Sequence, residues 1–372
     1  MNWQEKLKQA NVNIHLVATG GGAGFQQDLW SEPGSSAYFS GASFPYSPEE
    51  QEEFLGFMPE HFCSEEAAID LASAAYMKAY KFGGKNPVGL AITASVASEH
   101  EHRGEHRIYG AIMTNDKVLT VHHTLTKGVG RCQRGTDGTD CDATAFFALL
   151  DGLDIAETDV GKPNYKDATA LAKERFFLRP LFTANGKRLS KVPTVKPDGD
   201  YRHDPWVLMP GAFNPPHEGH FGAADHILRE YGKEVIFEIT AEPPHKEWLT
   251  VQQLLQRAKL LQGRHRIFTR SEPLYIDKAR AFPGMGLALG ADAMVRVLDP
   301  KWGVDIDQMF KEMDELRTKL YINGRDINGK FVNRNDIDAM LTPEQANIFR
   351  FISLPVSGEY HISSTEIRNK LL

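Results

Sequence analysis

Over residues 1 to about 158, apolar runs alternate with amphipathic segments: "IHLVATG", "SEEAAIDLASAAYMKAYKF", "VGLAITASVAS", "HRIYGAIMT", "VLTVHHTLT" and "DATAFFALLDGL". Both the two-residue period of strands and the 3.6-residue period of helices are present, so an α/β domain is expected there. The stretch 174–205, "ERFFLRPLFTANGKRLSKVPTVKPDGDYRHDP", is rich in Pro, Gly and Lys and has little sustained period, which reads as a connector. From Trp206 onward, "WVLMP", "EVIFEIT", "RIFTR", "GLALGAD", "KLYINGR" and "FISLPV" alternate with helical patterns such as "TVQQLLQRAKLLQG". That order predicts a parallel sheet of right-handed βαβ units. Domains over 1–158 and 204–372, joined by a connector over 159–203, follow from this reading. Neither an internal repeat nor a coiled-coil heptad is visible.

Length agrees with two domains, because 372 residues exceed what one hydrophobic core usually holds. No apolar run approaches the roughly 18 residues of a membrane span, and the opening "MNWQEKLKQANVNIHLVATGGG" is neither a secretory signal nor a transit peptide. A cytoplasmic protein with no membrane partner is expected. Cys63, Cys132 and Cys141 have no C-x-x-C spacing, which argues against a disulfide framework and a thiolate zinc site. A formal charge of −7 gives no footprint for nucleic acid, though anionic small molecules can bind at a local positive pocket.

The densest chemistry lies in "PGAFNPPHEGHFGAA", residues 210–224. In an open α/β sheet ligands bind beyond the carboxyl ends of strands, and the first strand-to-helix turn makes most phosphate contacts. "WVLMP" reads as that strand and "FGAADHILREYG" as the helix, with Phe221, Ala224, Ile227 and Leu228 on one face. His217 and His220 then sit at the helix N-terminus, where unpaired N–H groups and the dipole favour an anion. Gly211 and Gly219 permit close backbone approach, while Pro215 and Pro216 stiffen the loop. Taken alone, the H-x-x-H pair is also compatible with a zinc half-site or two solvated histidines.

"GAFNPPHEGH" resembles the signature of the nucleotidyltransferase superfamily, in particular the nicotinamide- and nicotinate-mononucleotide adenylyltransferases. The resemblance continues in order through "EPPHK" at 242–246, "GADAMVRVLDPKW" at 290–302 and "ISSTEIR" at 362–368. A P-loop G-x-x-x-x-G-K-[ST] is absent. The resemblance implies a Rossmann-like domain that moves the adenylyl group of ATP onto a pyridine mononucleotide, forming NAD or its deamido form and releasing pyrophosphate. His217 and His220, with the N–H groups of Gly211, Ala212 and Phe213, would bind the ATP phosphates and stabilise the transition state. Lys246 would bring a mobile charge to the triphosphate, and Ser363, Ser364 and Arg368 would hold it from a second helix start. Asp292 and Trp302 match positions that hold the acceptor mononucleotide. A magnesium ion bridging the phosphates is implied, without a dedicated carboxylate cage. Read singly, "SST" is also a helix cap, Arg368 a surface charge, Asp292 a cap, Trp302 a core residue and Lys246 a solvated loop lysine.

In the N-terminal half, "PGSSAYFSGASFPYSPEE", residues 33–50, is similar to a region of the CinA C-terminal family, which includes nicotinamide-mononucleotide amidases. "VGLAITASVAS" and "GEHRIYGAI" follow in the family's order. The sequence departs from that family at the chemistry: "VATGGGAG" stands where active members have "ESCTGG", and Gln51 stands at the lysine position. An ungapped count places Thr19 at the nucleophile position, whereas matching the "TGG" letters places Val17 there. Glutamine cannot serve as the base a hydroxyl nucleophile needs, so a module that has lost amide hydrolysis and binds a ligand or mediates assembly is expected, with Thr19, Tyr46 and Gln51 marking a vestigial pocket. Its glycines are equally compatible with a tight turn. "EHEHRGEH" at 99–106, carrying His100, His102 and His106, reads as a solvated loop or an adventitious metal site. A homo-oligomer is expected. Together the two resemblances would fit pyridine-nucleotide salvage. The alternatives are a nucleotide-binding regulator or weak ATPase, and an amidohydrolase in which Thr19 has found a base.

Overall fold

The structure, a computed structural model, describes residues 2–81, 86–101, 103–155, 164–177, 181–182, 188–189, 206–243, 247–261, 263–269, 272, 274–299, 305–327, 330–352 and 364–371. The chain divides into two compact units, Met1–Phe176 with Thr250–Leu255, and Phe177–Leu249 with Gln256–Leu372. Among the described residues no helix is long and apolar enough to cross a membrane.

Along the first part run α1 (Trp3–Ala10), β1 (Val12–Thr19), α2 (Phe25–Trp30), β2 (Phe39–Ser43), α3 (Pro48–Leu55), α4 (Glu65–Lys81), β3 (Asn86–Ser95), β4 (Arg107–Met113), β5 (Val118–Thr124), α5 (Gly130–Gly152), β6 (Lys166–Asp167) and α6 (Thr169–Phe177). The sheet order is β2-β1-β3-β4-β5-β6. β1 pairs parallel with β2 and β3, whereas β4, β5 and β6 continue antiparallel. Alternation along β1 sends Ile14, Leu16 and Ala18 into one apolar cluster and Val17 into the other, so both faces of the sheet are covered. Glu65 and Glu66 in the first turn of α4, with Lys78 and Lys81 in its last, complement the helix dipole. The backbone of α4 comes so close to β3 that a Cβ on Gly89 would lie 2.0 Å from the Ala72 carbonyl oxygen.

Further along come β7 (Leu181–Phe182), β8 (Arg188–Leu189), β9 (Trp206–Pro210), α7 (Glu218–Tyr231), β10 (Glu234–Thr240), α8 (Val251–Leu260), β11 (His265–Thr269), α9 (Tyr275–Ala281), β12 (Gly286–Gly290) and α10 (Ala291–Val297). They are followed by α11 (Ile306–Glu315), β13 (Leu320–Asn323), β14 (Arg325–Ile327), β15 (Lys330–Val332), α12 (Arg334–Asp338), α13 (Pro343–Ala346), β16 (Phe349–Ile352) and α14 (Ser364–Leu371). The main sheet has the order β16-β13-β12-β9-β10-β11-β7-β8. From β16 to β11 all pairings are parallel, as the βαβ pattern predicts. β9 lies between β10 and β12, so the chain winds outward one way through β10 and β11 and the other way through β12, β13 and β16. The reversal creates the crevice at which such sheets bind ligands.

Two expectations change. The stretch read as an aperiodic connector holds the end of α6 and two strands, with β7 pairing antiparallel to β11 and to β8. Two-residue strands are too short to leave a period in the sequence. In α7 the buried residues are Gly219, Ala223, Ala224, His226 and Ile227, while Leu228, expected on the core face, is 51% exposed. The buried stripe centres on small residues, and Leu228 lies one position beyond it.

Candidate functional site

β9 ends at Pro210, and the loop that follows is held from below by the Gly211 N–H, which donates to the Glu238 carbonyl of β10 at 2.9 Å. Glycine is required at 211 because a Cβ there would lie 2.6 Å from Phe213 Cζ. Phe213 adopts φ 46°, in the left-handed region, and its buried ring meets Phe237 edge-on at 5.2 Å and His220 at 5.0 Å. The backbone strain at this position is offset by burial of a large aromatic ring.

His217 caps α7 in an extended conformation, and Gly232 ends the helix in the left-handed region. The ring centroids of His217 and His220 are 3.8 Å apart. The His217 backbone N–H donates to His220 Nδ1 at 3.3 Å, which leaves the ring proton on Nε2. Burial, then His217, then Arg325 push the His220 imidazole down to about 3. His220 is therefore a neutral hydrogen-bond donor at physiological pH, not a cation.

α14 meets this loop from far along the chain. Ser364 Oγ donates to the Pro215 carbonyl at 2.8 Å, and an Arg368 guanidinium nitrogen donates to the Asn214 carbonyl. The "NPPH" and "SSTEIR" motifs are thus brought together. Arg257 of α8 also reaches the loop, its Nη1 donating to the Ala212 carbonyl at 2.9 Å. Sequence reasoning missed this residue, whose segment carried only a helical period. Lys246, Trp302 and Ser363 lie outside the described residues.

A cavity of about 270 Å³ opens beyond the carboxyl ends of β9, β12, β13 and β16, with Gly211, His217, His220, Tyr275, Asp292 and Arg325 among its walls. Asp292 stands in the first turn of α10 and pairs with Arg296 at 2.9 Å and Arg325 at 3.5 Å. It shares the cavity with the histidines, as the motif order implied. Gly290 leaves room for it, since a Cβ there would lie 2.6 Å from Asp292 Oδ1. Burial, and secondarily the Asp292 carboxylate, hold the Tyr275 phenol above its ordinary range, so it stays protonated. Tyr275, Arg296 and Arg325 were also invisible to sequence reasoning, because each arrives from a different element. Among the described residues there is no cluster of three metal-ligating side chains.

The first unit holds a second pocket of about 390 Å³, with Thr19, Tyr46, Gln51, Cys63 and Arg134 in its wall. Ser47 caps α3 by accepting from the Glu50 N–H, and Pro48 opens the helix, placing Gln51 over the end of β1. Gln51 Nε2 donates to Thr19 Oγ1 at 3.2 Å, both residues being buried. Gln51 Oε1 has no partner among the described residues. Tyr46 is 67% exposed at the pocket mouth. Of the two alignments of "VATGGGAG", Thr19 reaches the pocket, while Val17 is fully buried in the core beneath α4. Cys63 is no activated nucleophile, as burial raises its thiol above the ordinary value.

The glycines after Thr19 are explained by packing. A Cβ would lie 2.0 Å from the Ala94 carbonyl oxygen at Gly20, 2.5 Å from Cys141 Sγ at Gly21 and 2.1 Å from Asp142 Oδ2 at Gly24. His106, expected in a solvated loop, is buried with Asp137 at 3.6 Å, while His100 is exposed and His102 lies outside the described residues. Asp137 also accepts from the Ala97 N–H at 2.7 Å, so it anchors the turn after β3 against α5, where a run of polar letters gave no sign of a core.

The family described as Cytidylyltransferase-like matches residues 208–370. The C-terminal unit therefore carries a cytidylyltransferase-like domain. Among solved structures, a competence-damaged protein (CinA) superfamily protein from Escherichia coli is 14% identical, with 39% of this chain and 83% of that chain covered and a TM-score of 0.34. A CinA superfamily protein from Klebsiella pneumoniae is 15% identical over 41% of this chain and 99% of that one, with a TM-score of 0.34. A competence/damage inducible protein from Agrobacterium tumefaciens is 16% identical over 41% and 90%, with a TM-score of 0.31. No curated protein matches.

Proposed function

We infer from the cytidylyltransferase-like domain over residues 208–370 that the chain is a nucleotidyltransferase, and we propose that it transfers adenylyl from ATP to a pyridine mononucleotide. One observation carries this reading: the His217–His220 pair lies at the start of α7, at the reversal point of the sheet, in the same cavity as Asp292. A phosphate oxygen of the acceptor attacks the α-phosphorus, a new P–O bond forms, the α–β bridge breaks, and pyrophosphate leaves with the electron pair. No side-chain nucleophile is needed; alignment and charge stabilisation do most of the catalysis.

His220 Nε2–H acts as a neutral donor to phosphate oxygens, preorganised by the His217 N–H. Arg368 and Ser364 fix the loop's carbonyls and bring positive charge to the triphosphate side. Asp292 holds Arg296 and Arg325 in the cavity, where they face the anionic acceptor. A magnesium ion bound with ATP would supply charge neutralisation at the phosphates, beside the donors His220 and Arg368. In the first unit, Thr19 bonded to an amide instead of a base supports a ligand-holding role over amide hydrolysis.

The test is pyrophosphate release by the full chain from ATP and magnesium, with nicotinamide mononucleotide, nicotinate mononucleotide or no acceptor. Release that depends on one mononucleotide supports the reading and identifies the acceptor. Nucleotide binding without acceptor-dependent release would replace it with a regulator or a weak ATPase.

A further inference from the structure

Three main-chain carbonyls of the 211–216 loop are met by side chains from two other elements: Ala212 by Arg257, Asn214 by Arg368 and Pro215 by Ser364. Only α14 was expected to contribute. Arg257 comes from α8, on which the motif resemblance places no functional residue. Its stem is half-buried, and among the described residues no carboxylate lies within ion-pair distance of it. Burial, and after it the charge of Arg368, lower the Arg257 guanidinium below its ordinary value. Two like charges are thus held over one loop, each bonded to a main-chain oxygen. An anion placed near both would relieve their mutual repulsion.

We propose that Arg257 is a second polyphosphate-binding arginine, which pairs with Arg368 on the β- and γ-phosphates of the nucleotide donor and uses the Ala212 carbonyl as its resting partner. The proposal rests on the nucleotidyltransferase reading above. A planar guanidinium with five donors can keep one bond to a carbonyl while presenting others to phosphate oxygens, which an ammonium on a flexible stem does less well. The Ala212 bond also matters to the loop itself. In a trans peptide the C=O and N–H point opposite ways, so fixing the Ala212 oxygen turns the Phe213 N–H to the other side.

The experiment measures binding of inorganic tripolyphosphate, ATP and AMP to the full chain by calorimetry, for wild type, Arg257→Gln and Arg257→Lys. Glutamine keeps an amide donor for the Ala212 carbonyl but removes the charge; lysine keeps the charge. Direct phosphate contact predicts that Arg257→Gln weakens ATP and tripolyphosphate at least about tenfold and AMP less than about twofold, with Arg257→Lys between Gln and wild type. Wild-type affinity for tripolyphosphate in Arg257→Gln overturns the proposal, as does an equal loss for AMP and ATP, which is the signature of loop positioning alone. Failure of the wild-type chain to bind ATP or tripolyphosphate would instead remove the underlying reading. Should Arg257→Gln fail to fold, Arg257→Lys decides: a several-fold loss for tripolyphosphate and ATP with AMP unchanged supports the contact, and wild-type affinity for all three overturns it.

Discussion

Each unit runs a strand into a loop and then a helix at the carboxyl edge of its sheet, and the two loops are built in opposite ways. After β1, Gly20, Gly21 and Gly24 are dictated from outside, by a β3 carbonyl and by two α5 side chains pressed against the turn. Asp142 then accepts from the Phe25 N–H at 3.0 Å, so the chain's own carboxylate stands where the start of α2 would favour an anion. After β9, the start of α7 instead faces a cavity walled by two imidazoles, and the loop's carbonyls are gripped from behind by Arg257, Ser364 and Arg368. Glycine richness therefore does not identify a phosphate loop. The two loops differ instead in what their helix starts meet, a carboxylate of the chain at α2 and an open cavity at α7.

The sharpest way to break this contrast is at Gly20, whose φ of 81° and 2.0 Å approach to the Ala94 oxygen leave no room for a methyl group. Gly20→Ala is expected to destabilise the first unit by at least about 3 kcal/mol, read from a lowered urea midpoint; an unchanged midpoint would show that the turn relaxes freely. Next in size is His220→Ala. Acceptor-dependent pyrophosphate release should fall by at least about a hundredfold, roughly 2.7 kcal/mol of transition-state stabilisation, with circular dichroism unchanged. A folded variant with near-normal turnover would remove the assigned role.

A pH titration separates the units in another way. Burial, and then Lys78, lower His15 in the first unit from its ordinary 6.5 to about 4. Between those values the unfolded chain binds a proton that the folded chain refuses. The contribution is therefore complete above pH 6.5 and is lost as pH falls toward 4, the loss amounting to about 2 kcal/mol at pH 5. His15→Gln should flatten that part of the stability profile; identical slopes in wild type and variant would sink the assignment. Smallest of all is Leu228→Ala, expected to cost under about 0.5 kcal/mol because the side chain faces solvent, against about 2–4 kcal/mol for fully buried Ile227→Ala.

What could be read from sequence was local. The histidines, the prolines and the SST segment carry their meaning in consecutive letters, and the βαβ rhythm is a periodicity, so the parallel sheet and the position of the loop were both visible. Arg257, Tyr275 and Arg325 were not, because each lies in a segment whose only one-dimensional signal is amphipathic or apolar, and it reaches the cavity through tertiary packing. His106 failed for the opposite reason. Its neighbours are charged, and only the buried Asp137 on a distant helix reveals that it belongs to the interior.

The bond from Arg368 to the Asn214 carbonyl spans 154 residues of chain. On a ribosome, the loop with its two histidines emerges long before the helix that secures it, so a nascent chain halted short of Ser364 has the imidazoles but leaves the Asn214 and Pro215 oxygens without their native donors. The loop's full set of native bonds is thus acquired late in translation, only once α14 has been made.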